Sequence, residues 1–171
     1  MTIFEMSDLP IKKILISDLA AFDSSNLTDT FSDGEKFVVF SFGNELFAVS
    51  AQKVSEVVQP LEITSLPNVP EWLSGICNLR GEIVSVVNLP KLWKPETPTN
   101  FAKPKLIILR GQNGAIALAT DRLSEIVSLP DEAIEPCEKD SYIYANAVHD
   151  EKNLNLIDAE KLFFNLSEQP A

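Results

Sequence analysis

Two short patterns recur along this chain at nearly the same interval. Val54-Ser55-Glu56-Val57-Val58, followed by Pro60, returns as Leu123-Ser124-Glu125-Ile126-Val127, followed by Pro130. That interval is 69 residues (124 − 55). Leu89-Pro90-Lys91-Leu92-Trp93 is echoed by Ala159-Glu160-Lys161-Leu162-Phe163 at an interval of 70 (161 − 91). Two independent segments at one spacing define a duplication with a unit of about 70 residues. A β module of that size buries too little apolar surface to stand alone, so the two copies are expected to share a core. Each unit ends in a bulky apolar segment. Leu92 and Trp93 in the first, and Leu162, Phe163 and Phe164 in the second, are expected to plug barrel ends or the seam between modules.

The texture within the units is short apolar runs separated by turn residues. Phe37 to Phe42 reads as a first strand, Gly43-Asn44 as a hairpin turn and Glu45 to Ser50 as the return. Gln52 to Val58 reads as a short helix with Val54, Val57 and Val58 inward. Pro60, Pro67 and Pro70 mark an irregular crossing. Trp72 to Leu79 and Glu82 to Leu89 form a second hairpin around Arg80-Gly81, its return strand anchored by Ile83, Val86 and Leu89. Leu106 to Arg110 and Ala115 to Thr120 are strands around the turn Gly111 to Gly114. The units span about 37–94 and 105–165, joined by a proline-bearing connector from Lys94 to Pro104, with 166–171 as a tail. Trp72 and Trp93 read as core packing, with an exposed binding aromatic as the alternative.

Residues 1–36 form an extension. Ser7, Asp8 and Pro10 are a helix start, and Ile11, Ile14, Leu15, Leu19 and Phe22 recur on one face. The helix either packs on its own domain or docks a partner. Asp23 to Glu35 is a polar linker.

Composition narrows the function classes. The 25 acidic and 14 basic side chains leave a net charge of −11, and the cations are scattered. That argues against a nucleic-acid partner, which needs clustered Lys and Arg, and against anionic membrane surfaces. No run of about 20 apolar residues reads as a membrane span, and no basic-then-apolar leader is visible. The expected location is cytoplasmic, without direct membrane insertion. Cys77 and Cys137 are distant and form no CxxC pair, which fits free thiols. Asn26-Leu27-Thr28 and Asn165-Leu166-Ser167 match a glycosylation pattern that carries no weight without export.

Catalytic chemistry finds little support. There is no phosphate-binding glycine loop, dinucleotide fingerprint or nucleophile elbow. The single histidine, His149, stands beside Asp150 and Glu151 where a turn is expected, and reads as exposed and solvated. One histidine and two distant cysteines are no standard zinc set. Cys77 reads as a buried inert thiol. Asp131, Glu132, Glu135, Glu138 and Asp140 read as a solvated face. No catalytic residue, metal or cofactor is expected. An enzyme would have to rest on Cys77 or His149, and interaction is the leading class.

The most informative stretch runs from Gly75 to Leu89, around Asn78-Leu79-Arg80-Gly81. Asn78 and Gly81 suit a tight reversal, because Gly accepts positive φ and the Asn amide bonds nearby backbone. Arg80 is then held at an exposed tip. An Arg on a rigid turn loses little entropy on pairing and grips a carboxylate well. The carboxylate is either a partner's or one of this chain's own.

This stretch resembles the CheW-like domain family, the adaptors of bacterial chemotaxis signalling. Further matching pieces are Val54 to Val58, Leu129-Pro130 with Ile134-Glu135-Pro136, Tyr142-Ile143, and Leu156 to Leu162. The resemblance covers about Phe37 to Phe164. It implies an all-β fold of two intertwined five-stranded SH3-like barrels sharing a core, with short helices. It also implies a non-enzymatic adaptor that couples the cytoplasmic tips of methyl-accepting chemoreceptors to the regulatory domain of a CheA-type histidine autokinase. Related adaptors serve type IV pilus twitching systems, so a divergent module with other partners is the second reading. By resemblance, Arg80 and Glu56 fall in the partner-contacting surfaces, and Asn78, Leu79 and Gly81 shape the turn that presents Arg80. Three positions depart from the family's usual residues: Ser85 for Pro, Asn88 for Asp and Ala145 for Gly.

Overall fold

Strand β1 (Glu35–Phe42) is buried over its last six residues, so both of its faces meet apolar neighbours. Phe37 and Val39 join one cluster with Ala48, Val127, Leu154 and Leu156. Val38 and Phe40 join another with Phe47, Val49, Ile107 and Leu109. Side chains alternate along a strand, so a run apolar at every position is what a strand between two interiors requires. The computed structural model describes residues 34–59, 61–93, 104–112, 114–137 and 142–168. The expected N-terminal helix, the connector at 94–103, Glu138 and Asp140 lie outside them.

After β1 come β2 (Glu45–Ser50), β3 (Val54–Val58), β4 (Leu73–Leu79), β5 (Glu82–Val87) and helix α1 (Leu89–Trp93). The second unit has β6 (Lys105–Gly111), β7 (Gly114–Thr120), β8 (Arg122–Leu129), β9 (Ile134–Pro136), β10 (Ile143–His149), β11 (Lys152–Ile157) and helix α2 (Ala159–Glu168). One sheet has the order β3-β6-β7-β5-β4, the other β8-β1-β2-β11-β10-β9. The two orders are one order with the units exchanged. Each barrel takes two strands from one unit and the rest from the other, and β5–β7 matches β11–β2 as the parallel pair. The fold is two intertwined SH3-like barrels, the first with the expected five strands and the second with six, because the short β9 adds to the edge of β10.

Three apolar layers hold it. Cys77, Leu79, Val84, Val86, Leu106 and Ile108 fill the first barrel, and Ala145, Ala147, Leu154 and Leu156 help fill the second. Between them lies the shared layer, where Phe40, Phe42 and Phe47 pack with ring centroids 5.4–6.1 Å apart. A fully buried Phe or Leu contributes about 1.5–3 kcal/mol. Neither barrel keeps that layer dry without the other. Leu89 and Leu162, from the two short helices, are fully buried in it.

Four expectations are corrected. Residues 54–58 form a strand rather than a helix. A β-bulge between Val54 and Glu56 breaks the two-residue period, so Val54 and Val57 both turn inward and imitate helical spacing. Ile83 is 62% exposed, because Val84 and Val86 take the inward positions of β5. At the end of the second unit Leu162 is buried and Phe163 is half-buried against Gly111, but Phe164 is exposed on the outer face of α2. β1 begins at Glu35, inside the stretch read as linker. Trp72 is half-buried against the shared layer, as core packing requires, while the side chain of Trp93 lies outside the described residues.

The unusual residues also find places. Asn88 precedes α1 and is buried, its N–H donating to Trp72 O at 2.7 Å. Its counterpart Asp158 (158 − 88 = 70) donates to Tyr142 O at 2.7 Å and caps α2, its Oδ1 accepting from Lys161 N–H at 3.1 Å. At the start of α1 it is the backbone carbonyl of Asn88 that accepts, from Lys91 N–H at 3.2 Å, and nothing in the structure explains the departure at 88. Ala145 is fully buried in the second barrel, and Ser85 is half-buried in β5.

Candidate partner-binding site

Leu79 pairs with Glu82 as the last rung of the β4–β5 ladder, leaving a loop of two residues. Arg80 has φ +50° and Gly81 φ +89°. Positive φ at both positions defines the turn whose twist matches the flanking strands. The Gly81 N–H donates to Asn78 Oδ1 at 2.8 Å, which ties the turn to its own base. Leu79 is 5% exposed and roots the hairpin in the first barrel. A non-glycine residue in this conformation costs on the order of 1 kcal/mol, and here it fixes the direction in which Arg80 points.

β3 and β4 are the outer strands of their sheet order, so the barrel has a seam between them. Arg80 spans it. Its Nη2 donates to Glu56 Oε1 on β3, a charge-assisted bond between residues 24 apart in sequence. The burial is unequal: the Glu56 side chain is 6% exposed and that of Arg80 69%. A carboxylate so far out of water is stable only while paired, whereas the guanidinium keeps most of its donors free for another group. Glu56, Asn78, Leu79, Arg80 and Gly81 are thus brought together as one unit, and the carboxylate opposite Arg80 is the chain's own.

Two features beside the turn were missed from sequence. Ile83 stands directly across the ladder from Asn78, both exposed, and adds an apolar patch at the foot of the hairpin. Counting inward Val84 and Val86 as a two-residue period would have found it. Arg110, at the end of β6, donates through both Nη atoms to the two carboxylate oxygens of Glu82, at 3.3 and 3.0 Å. That hydrogen bonding holds Glu82 below the usual carboxylate range and lifts Arg110 above its own.

His149 is not solvated as expected. Its side chain is 31% exposed, with Nε2 3.7 Å from Glu125 Oε1 and 3.4 Å from Asp150 Oδ2. The carboxylate of Glu125 on β8 lies beside the ring, a proximity invisible in sequence because Glu125 lies 24 residues upstream (149 − 125). Cys77 is 2% exposed, and burial pushes its thiol up. Asp131, Glu132 and Glu135 are exposed. Among the described residues no helix is long and apolar enough to cross a membrane.

Two interlocked barrels carry a braced, cation-tipped hairpin at the seam of the first. Comparison with known proteins gives the chain a family. The CheW-like domain pattern matches residues 36–166. A chemotaxis protein CheW of Klebsiella aerogenes is 27% identical over 135 residues, covering 75% of this chain and 81% of that protein. A chemotaxis protein CheW of Bacillus subtilis is 26% identical over 151 residues, covering 85% and 97%. The crystal structure of the scaffolding protein TtCheW from Thermoanaerobacter tengcongensis aligns with TM-score 0.67 and 29% identity, covering 73% of this chain and 89% of that one. The chain belongs to the CheW-like domain family, and it is a CheW-like chemotaxis adaptor.

Proposed function

We propose that this chain is a non-enzymatic scaffold that joins the cytoplasmic tip of a chemoreceptor to the regulatory domain of a CheA-type histidine kinase. The β4–β5 hairpin is the contact surface in this reading. Arg80 is the anchor, Glu56 holds it, and Asn78, Leu79 and Gly81 set its direction. The observation that carries the reading is that Arg80 keeps 69% of its side chain exposed although one Nη is already fixed by Glu56. Such a group meets a partner's carboxylate with its conformational entropy largely spent. Ile83 adds an apolar patch that a partner helix or strand edge can cover.

The test is titration of the purified chain against a kinase regulatory domain and, separately, a soluble receptor-tip fragment. Arg80→Glu should weaken at least one of these contacts by about 30-fold or more if Arg80 becomes desolvated in the complex. Ile83→Asn should weaken the same contact. A folded Arg80→Glu protein that binds both partners with unchanged affinity would remove the hairpin from the interface.

A further inference from the structure

The second barrel has the same seam as the first. Its outer edges are β8 on one side and β10 with β9 on the other. Across it stand Glu125 on β8 and the β10–β11 turn at Asp150-Glu151. Glu125 is the counterpart of Glu56 (125 − 56 = 69), and Asp150 that of Arg80 (150 − 80 = 70). Where the first barrel sets a guanidinium against a carboxylate, the second sets a carboxylate against a carboxylate. The only side-chain nitrogens among them are those of His149, the single histidine of the chain.

The three groups converge. One ligand atom from each of Glu125, His149 and Asp150 falls within a 4.8 Å set. The imidazole Nε2 is 3.7 Å from one carboxylate oxygen and 3.4 Å from the other. Zinc–nitrogen and zinc–oxygen bonds of about 2.0–2.2 Å set the edges of a tetrahedral site at roughly 3.3–3.6 Å. Two of the three edges therefore stand near their bonded lengths already. We propose that Glu125, His149 and Asp150 form a site for a divalent transition-metal ion of the zinc class, which supplies in the second barrel the positive charge that Arg80 supplies in the first.

The donor set selects the ion. One imidazole nitrogen with two carboxylate oxygens suits zinc and its neighbours, whereas magnesium and calcium take oxygen alone. Asp150 is 79% exposed and Glu125 41%, so the site opens to solvent and water completes the coordination. An open three-ligand site binds less tightly than a closed four-ligand one.

The experiment is zinc titration of the full chain by calorimetry at about pH 7.5, with the ring resonances of His149 followed by NMR in parallel. The expected result is one equivalent bound with a dissociation constant on the order of micromolar, and both ring resonances shifted by the end of the titration. His149→Ala and Glu125→Gln should each weaken binding at least about tenfold. Magnesium at millimolar concentration, on the order of a thousandfold excess, should leave the zinc isotherm in place. Any of three results overturns the proposal. These are no saturable binding below about 100 µM zinc, binding that leaves the His149 resonances unmoved, or magnesium displacing zinc. The resonances belong to a single residue of the unaltered chain, so the test decides even where a variant fails to fold.

Discussion

Arg80 and Asp150 occupy the same position in two hairpins 70 residues apart (150 − 80), with φ of +50° and +49°, and they carry opposite charges. Duplication has kept the backbone device and divided its chemistry. Both turns hold a non-glycine residue in a left-handed conformation, which is retained only where the surroundings determine it. In the first hairpin the side chain closes the barrel seam against a buried carboxylate. In the second it adds a further carboxylate beside Glu125 and His149. The molecule therefore presents one cationic and one acidic tip on a symmetric frame.

The Arg80–Glu56 bond predicts unequal costs for its two halves. Arg80→Ala leaves a carboxylate that is 6% exposed without its partner, and should cost about 1–2 kcal/mol of stability after allowance for the exposed guanidinium. Glu56→Gln keeps an acceptor without the buried charge and should cost less than about 1 kcal/mol. The double variant should show a coupling near 1 kcal/mol in urea denaturation. Costs that add to within about 0.3 kcal/mol would show that the bond is not made in solution.

Much of this arrangement was legible in the residues. The duplication showed in Ser55-Glu56 and Ser124-Glu125, and in the helix ends at Leu92 and Leu162, because each occupies an equivalent place in its barrel. Phe37 to Phe42 read as a strand, and its burial on both faces emerged only with the fold. What failed was local periodicity across irregularities. The bulge at Val54/Glu56 imitates a helix, and anchors assigned to β5 at three-residue spacing placed Ile83 inside. The pairing of Arg80 with Glu56 and of His149 with Glu125 depends on how each barrel closes. Closure is set by the strand order, which no local pattern encodes.

Glu82 and Arg110 predict an acid-side effect. The hydrogen bond from Arg110 holds the Glu82 carboxyl below its ordinary range in the folded chain. A depressed folded value means that the pair's contribution is fully present above the unfolded carboxylate pKa. It is lost as pH falls through the lowered folded value. Arg110→Gln should return Glu82 to the ordinary range, read from the pH dependence of its side-chain carboxyl carbon shift. An unchanged Glu82 titration in that variant would show that Arg110 does not set it.

The two thiols should separate kinetically. Cys77 is 2% exposed inside the first barrel and burial raises its pKa, so little thiolate forms and little reagent reaches it. Cys137 is partly exposed, with its N–H bonded to Tyr144 O at 3.0 Å. Native protein treated with an aromatic disulfide reagent should release one fast equivalent, which Cys137→Ser removes. The second should appear only at the rate at which the barrel opens, and denaturant should merge the two phases. Two fast equivalents from native protein would contradict the closed first barrel.

Gly75 and Ala145 test whether the duplicated bulge is equally demanding in both barrels. They are counterparts (145 − 75 = 70), and each follows a register shift in its ladder. Gly75 has φ +148°, and a Cβ there would stand 2.3 Å from Thr64 O, the carbonyl that accepts the Ile76 N–H at 2.9 Å. An added methyl must push the crossing segment away and break that bridge. Ala145 is fully buried and is not among the described non-glycine residues with positive φ, so its methyl sits in the second barrel without strain. Gly75→Ala should therefore cost about 2 kcal/mol or more, from strain and overpacking together. Ala145→Gly should cost about 1 kcal/mol, from lost packing and greater freedom of the unfolded chain. Urea denaturation of the two variants reads the difference directly. Equal costs would mean that the crossing segment at Thr64 yields without resistance.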